Sequence, residues 1–449
     1  MTTTNRYLAG NFRPVASETT ATDLPVTGRL PEELDGRYLR NGPNPVAPVD
    51  ERLHHWFVGT GMVHGVRLRD GRAEWYRSRY VLGDEAADML GRPRLPGPRH
   101  ELFGGGSPNT NVIGVGRTTL AIVEAGGHPV ELTDDLESRR YVDFAGTWAG
   151  AFSAHPKVDP ATGELFVAAY SPMFGNEISY QVLGPDLRVR HAARIDVGAP
   201  IMLHDVAVTE TRAVIFDLPV TLSADALSAG YPFPYRWNPD RQPRVGVLPR
   251  HGAAGDVAWC EVSPCYVFHP MNAYDLPDGQ LIVDVARHPR MFATDLQGPF
   301  EGPPVLERWT VDPASGKVAE ERLDDRSQEF PRVDERRVGR PYRFGYAADF
   351  GTDGPNPGGL TRWDLRAGTA LDHHYGPGRS TGEGVFIPRS AEAAEDDGWV
   401  MSLVYDRNTD RSDLVVLDAR DFGGEPVATV HLPTRVPYGF HGNWIPTGP

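Results

Sequence analysis

The stretch Met62–Val81 reads MVHGVRLRDGRAEWYRSRYV. Two runs rich in β-forming residues flank Asp70-Gly71, a dipeptide suited to the positive φ angles of a tight hairpin turn. The stretch predicts strand, turn, strand. The same grammar recurs in HPKVDPATGELFVAAY from His155, HDVAVTETRAVIFDLPV from His204 and YDLPDGQLIVDVARH from Tyr274. It recurs again in LERWTVDPASGKVAEERL from Leu306, LTRWDLRAGTALDHHY from Leu360 and SDLVVLDARDFGGEPVATVHL from Ser412. No long segment carries a 3.6-residue period, and one short helix is expected between Leu222 and Ala229. The 449 residues include 49 Gly and 41 Pro, against roughly 12% for the two together in an average protein. Gly costs entropy in a helix and Pro removes a donor, so bundles and helical solenoids are excluded. A hydrophobic fraction of 40% with 10% aromatics argues against disorder. The Gly and Pro are dispersed and no linker interrupts them, so residues 1–449 read as one all-β domain.

A loose internal repeat sharpens this expectation. His155, His204 and His269 each precede a buried-looking strand by about ten residues. Repeated antiparallel units without free edges suggest a β-propeller. Seven blades would take about 64 residues each, more than the 40–50 of common propeller repeats. The excess implies long loops, with a short helix, capping one face of the ring, where a substrate site is expected. No G-H…W-D signature is present.

The net charge of −15 opposes nucleic-acid binding. Nearly all the basic residues are Arg, the exceptions being Lys157 and Lys317. Cys260 and Cys265 are the only cysteines and form no CxxC, so a reduced, cytoplasmic protein is expected. No apolar run approaches a membrane span, which leaves peripheral membrane contact open.

Of the 15 His, most have ordinary readings. His54, His55, His373 and His374 lie in polar, loop-like surroundings and are read as solvated. His128, His251 and His288 adjoin Pro or Gly and are read as surface turn residues. Four others follow apolar or aromatic residues: His155 in GAFSAHP, His204 in PIMLHDV, His269 in CYVFHPMNAY and His441 in YGFHGNW. A buried neutral imidazole needs partners for both nitrogens. Spacings of 49, 65 and 172 residues leave two readings open. These are unrelated core histidines, or one His per blade meeting on the axis around iron, copper or zinc.

Taken together, RYLRNGPNP (Arg37–Pro45), WFVGTGMVHGVRL (Trp56–Leu68), AHP, LHD, FHPMNAYD, EFPRVD (Glu329–Asp334), GEGVFIPR and GFHGNW resemble the carotenoid cleavage dioxygenases, in that family's order and over nearly the whole chain. The resemblance implies a seven-bladed propeller with a non-haem Fe(II) held on its axis by His155, His204, His269 and His441. It implies carboxylate partners for those imidazoles at Glu124, Glu329 and Glu383. Composition alone would make Glu329, in the acidic run DDRSQE, a solvated residue. Thr110 matches a position that crowds an open coordination site. Trp148 and Phe268 are candidate linings of an apolar tunnel, with core packing as the alternative. The stretch GYPFPYRW (Gly230–Trp237) is a candidate entrance.

The implied reaction is O2-dependent cleavage of a C=C bond in a carotenoid or apocarotenoid, giving two carbonyl products. The expected partners are thus an apolar small molecule and O2. Two departures matter. Val58 and Thr60 stand where the family usually has acids, in a block read as structural. Val123, just before Glu124, stands where the stilbene-cleaving branch has a Lys paired with an earlier Tyr. Val cannot bond a phenol, which favours an apolar polyene. The alternatives are stilbene or phenylpropanoid cleavage, retinoid-ester isomerohydrolysis, and a non-catalytic propeller that binds proteins. A calcium-dependent lactonase would need oxygen ligands on the axis.

Overall fold

The computed structural model describes residues 5–101, 104–171, 175–351 and 357–447. The hairpin that opened the sequence reading forms as Gly61–Arg69 and Arg72–Tyr80, with Arg69 paired to Arg72. Asp70 and Gly71 take φ of 49° and 68°, the left-handed pair that a two-residue hairpin loop requires. The other quoted stretches also form antiparallel strand pairs, for example Val305–Asp312 with Lys317–Arg322 and Gly359–Asp364 with Thr369–His374. Among the described residues, α-helix is confined to Asp84–Met89 and Ala224–Ser228. The second lies where the short helix was expected, capped by Ser223 accepting from the Ala226 N–H.

The strands gather into sheets of four or more, apart from the two-stranded pair Val220–Leu222 and Tyr235–Trp237. One sheet has eight strands, in two four-stranded runs joined only by a parallel contact between Glu261 and Lys317. Apolar clusters lie between successive sheets. Leu39, Met62, Val112 and Val130 join the first sheet to the second. Leu120, Phe152 and Leu165 join the second to the third. One large cluster runs from Phe166 through Val247 and Trp309 to Trp363. Tyr346, Leu360 and Val400 continue the series. Tyr38, Tyr76, Trp399 and Val416 return it to the first sheet. Each sheet therefore packs on the next and the last on the first, a propeller-like arrangement.

Closure uses both ends of the chain. The strand Gly442–Pro446 pairs with Gly36–Pro43, and Val26–Gly28 pairs with Ala428–His431. This places His441 beside the N-terminal sheet rather than on a free tail.

Several histidine readings are corrected. His54, His55 and His373 are buried, and His288 ends the strand Leu281–His288 with 4% exposure. Aromatic rings bury three of them: His55 packs against Phe57, Phe233 and Phe292, His373 against Tyr375 and Phe422, and His288 against Phe268. His251 and His374 are exposed, as expected.

The closing strand has no room to spare. A Cβ at Gly36 would stand 2.5 Å from the Trp444 ring and 2.6 Å from the Ile445 carbonyl. Gly36→Ala should destabilise the fold by about 1–3 kcal/mol, read as a lowered urea midpoint.

Candidate metal centre

The four singled-out histidines lie on, or within two residues of, the edge strands of their sheets. His155 precedes Lys157–Val158, His204 precedes Val206–Val208, His269 lies within Tyr266–Asp275, and His441 adjoins Gly442–Pro446. The ring of sheets brings these edges together. His155 Nε2 is 3.1 Å from His204 Nε2, which is 3.1 Å from His269 Nε2, which is 3.2 Å from His441 Nε2. All four candidate ligand atoms lie within 4.8 Å of one another, and all four residues are buried.

Three Nδ1 atoms face carboxylates. His204 meets Glu124 Oε2, His269 meets Glu329 Oε2 at 2.6 Å, and His441 meets Glu383 Oε1 at 3.1 Å. A carboxylate accepts only, so Nδ1 carries the proton and Nε2 presents a lone pair. Lone pairs crowded this closely repel unless a cation lies between them. Ligands at right angles about a metal with bonds of about 2.1 Å sit about 3 Å apart. The geometry is that of a four-His metal site.

The protonation states agree with this. Burial holds His155 well below its ordinary pKa, reinforced by His441, His204 and His269. Burial takes His269 down to about 3, against the pull of Glu329. Burial opposes ionisation of Glu329 and Glu383, yet both stay below the usual carboxylate range, Glu329 through His269 and His288, and Glu383 through Arg332 and His441. His204 departs from the others. Burial pushes it down, but Glu124 prevails and raises it, so a metal there must displace a proton.

Residues that sequence reasoning passed over complete the carboxylates. Tyr170 donates to Glu124 Oε1 at 2.5 Å. His288 Nε2 lies 3.1 Å from Glu329 Oε1. Arg332 Nη1 and the Gly442 N–H each reach Glu383 Oε2 at 3.0 Å. His155 is the exception, since its Nδ1 stands 3.8 Å from Asp205 Oδ2, an oxygen already held by Lys157 Nζ at 2.8 Å. Lys157 had left a trace in the sequence as one of two lysines in an Arg-rich chain.

An apolar cavity of about 350 Å³ opens onto His204, His269 and His441. Phe57, Phe233, Phe268, Phe330 and Phe440 line it, together with Thr110 and Val123. Phe268 sits edge-on to His204 with centroids 4.9 Å apart. The Thr110 hydroxyl donates to Asn109 Oδ1 at 2.9 Å. Pro232, Phe233, Pro234 and Tyr235 supply a wall from the stretch 230–237, and Val58 lines the cavity too, so its block does more than support the fold. Trp148 is a correction. It packs with Phe144 and Phe152 in the core between two sheets, off the cavity wall, because its indole N–H turns back to the Gly150 carbonyl at 3.0 Å.

The Glu383 network gives a pH dependence with a definite sign. Its folded pKa is about 2 against about 4.3 unfolded, so its stabilisation is present above about pH 5 and lost as pH falls towards 2. Metal-free protein should show urea midpoints that drop across that window, and Glu383→Gln should flatten the drop. Glu329→Gln should weaken metal binding about 10–100-fold, measured by competition with a chelator.

Comparisons with known proteins agree with this geometry. The family model described as retinal pigment epithelial membrane protein (RPE65) matches residues 12–446. The carotenoid cleavage oxygenase of Mycobacterium tuberculosis is 43% identical, over 99% of this chain and 98% of that protein. The crystal structure of Pseudomonas brassicacearum lignostilbene dioxygenase superposes with a TM-score of 0.88 at 30% identity, covering 98% of each chain. Cobalt-substituted Synechocystis apocarotenoid oxygenase does so at 0.86 and 28%, covering 97% of each. Matches of this extent place the chain in the RPE65, or carotenoid oxygenase, family.

Proposed function

We propose that the protein is an Fe(II)-dependent dioxygenase that cleaves a C=C bond of a carotenoid or apocarotenoid. The observation that carries this is the setting of four imidazole nitrogens in the wall of an aromatic cavity. The reaction balances without a further reductant. The C=C bond and the O–O bond break, and each carbon takes one oxygen to become a carbonyl. A ferrous ion held by His155, His204, His269 and His441 supplies the reactivity towards O2 that no side chain provides. Glu124, Glu329 and Glu383 hold three of the rings in the metal-binding tautomer. Thr110 narrows the cavity beside the ligands. Phe268 and the other aromatic rings exclude water and orient the polyene.

The stilbene or phenylpropanoid reading is kept for a specific reason. Val123 offers no bond to a phenol, but two tyrosines, Tyr170 and Tyr235, line the same cavity from other strands.

The architecture favours seven blades in one domain. Counting each half of the eight-stranded sheet as a blade adds two to the five other sheets of four or more strands. The carotenoid reading also favours a cytoplasmic protein that touches membranes peripherally to collect its substrate. Supporting this, Cys260 and Cys265 are unpaired. Leu227, 57% exposed on the short helix, lies just before the 230–237 segment that reaches the cavity.

Anaerobic loading with Fe(II), followed by an apocarotenal and ¹⁸O2, should bleach the polyene and label both carbonyl products. Persisting absorbance without aldehyde would defeat the reading. His204→Ala should bind no stoichiometric iron, checked by metal analysis.

A further inference from the structure

Among the described residues, five arginines are buried: Arg37, Arg40, Arg67, Arg250 and Arg435. Four of them meet carboxylates. Arg37 lies 3.1 Å from Asp134, Arg67 3.0 Å from Asp35, Arg250 2.5 Å from Asp159 and Arg435 3.8 Å from Asp410. Arg40 forms no ion pair. It is 4% exposed, and of the five it alone lines the aromatic cavity. A guanidinium keeps its charge when buried, so leaving it unpaired is costly.

The site around Arg40 is fixed and open on one side. Its backbone is held in the strand Gly36–Pro43, opposite Gly442 and His64. Nη2 donates to the Pro437 carbonyl. Nε is sealed and closes no hydrogen bond. Nη1 closes none either, but it is not among the sealed atoms. Two glycines of the cavity wall, Gly382 and Gly439, stand over the group. A Cβ at Gly382 would lie 3.5 Å from Nη1, with the Leu403 carbonyl at 4.0 Å as its one other neighbour. A Cβ at Gly439 would lie 3.4 Å from Cζ. The missing side chains leave the guanidinium uncovered towards the cavity. Glu383 acts on Arg40 only through space, because its oxygens serve His441, the Gly442 N–H and Arg332. Burial draws the guanidinium down to about 10, against Tyr38, Tyr76, Tyr438 and Glu383, so it stays cationic at neutral pH.

We infer that Arg40 binds an anionic end group, with Nη1 donating to a carboxylate oxygen, and that the cavity takes polyenes ending in a carboxylate. This rests on the polyene reading proposed above and names the substrate class as acidic apocarotenoids. A carboxylate fits better than a hydroxyl or an aldehyde, because the site offers an uncompensated charge as well as a donor. The aromatic remainder of the wall suits the apolar chain behind it.

The test uses full-length, metal-free protein and needs no turnover. An apocarotenoic acid and its methyl ester share one skeleton and differ in charge. Binding of each is followed in detergent, above neutral pH, by quenching of tryptophan fluorescence; Trp56 lines the cavity. Wild type should bind the acid about 10–100-fold more tightly than the ester, the range that a hydrogen bond to a charged group supplies. Arg40→Met should erase that preference and leave ester binding unchanged. Gly382→Ala keeps the charge and places a methyl group against Nη1, so it should reduce the preference at least about threefold with an unchanged thermal midpoint. Arg40→Met also loses the bond to Pro437, and if it fails to fold, Gly382→Ala decides alone. Equal binding of acid and ester by wild type, or an undiminished preference in either folded variant, would overturn the inference. If the acid is preferred as expected but the iron-loaded protein cleaves no polyene, the inference stands and the proposed reaction falls. If apocarotenals are cleaved but the acid is not preferred, the reaction stands and the inference falls.

Discussion

Four imidazole lone pairs pointed at one another inside a protein repel, and much of this structure serves to hold them there. His155, His204, His269 and His441 converge with neighbouring Nε2 atoms 3.1–3.2 Å apart. No local segment could impose that. It requires edge strands from sheets far apart in sequence to be held face to face, which demands a closed ring. The ring in turn requires the strand Gly442–Pro446 to seal against Gly36–Pro43, with Gly36 where no side chain fits. Closure of the ring also positions a ligand, because His441 adjoins the sealing strand.

The carboxylates answer the second difficulty, the positive charge that a metal ion would bring to a buried site. Glu124, Glu329 and Glu383 each accept from one ligand, and each is held on its other side by Tyr170, His288 or Arg332. Two-sided anchoring fixes ring orientation more firmly than a single bond. Among the described residues His155 has no such partner, since Asp205 is committed to Lys157. The ligand set is therefore electronically unequal, with three strengthened donors and one unassisted. The cavity opens onto three of the four ligands, and its walls are aromatic because an apolar chain is held by shape and dispersion.

Much of this was legible in the residues. Asp70-Gly71 announced a hairpin because only a few residues accept two successive left-handed φ angles. The four histidines stood out by the apolar residues before them, and the motif resemblance then assigned them together with Glu124, Glu329 and Glu383. Other features were hidden. His55 and His288 looked like solvated or turn residues, yet the fold brings Phe233 and Phe292 onto His55 and Phe268 onto His288, rings distant from them in sequence. Trp148, near a ligand in sequence, faces the core between two sheets. Tyr170 and Tyr235 lie far beyond Val123 in sequence, although the fold brings both to the same cavity.

The sequence by itself determined the strand inventory, the all-β class and the chemical kinds of residue available to a site, because turn preference, side-chain alternation and hydrophobicity are local properties. Tertiary structure alone decided which imidazole faces which carboxylate, that His288 shares Glu329, and that Lys157 withholds Asp205 from His155. Those outcomes depend on distances of about 3 Å between residues from different sheets, and such distances exist only once the ring has closed.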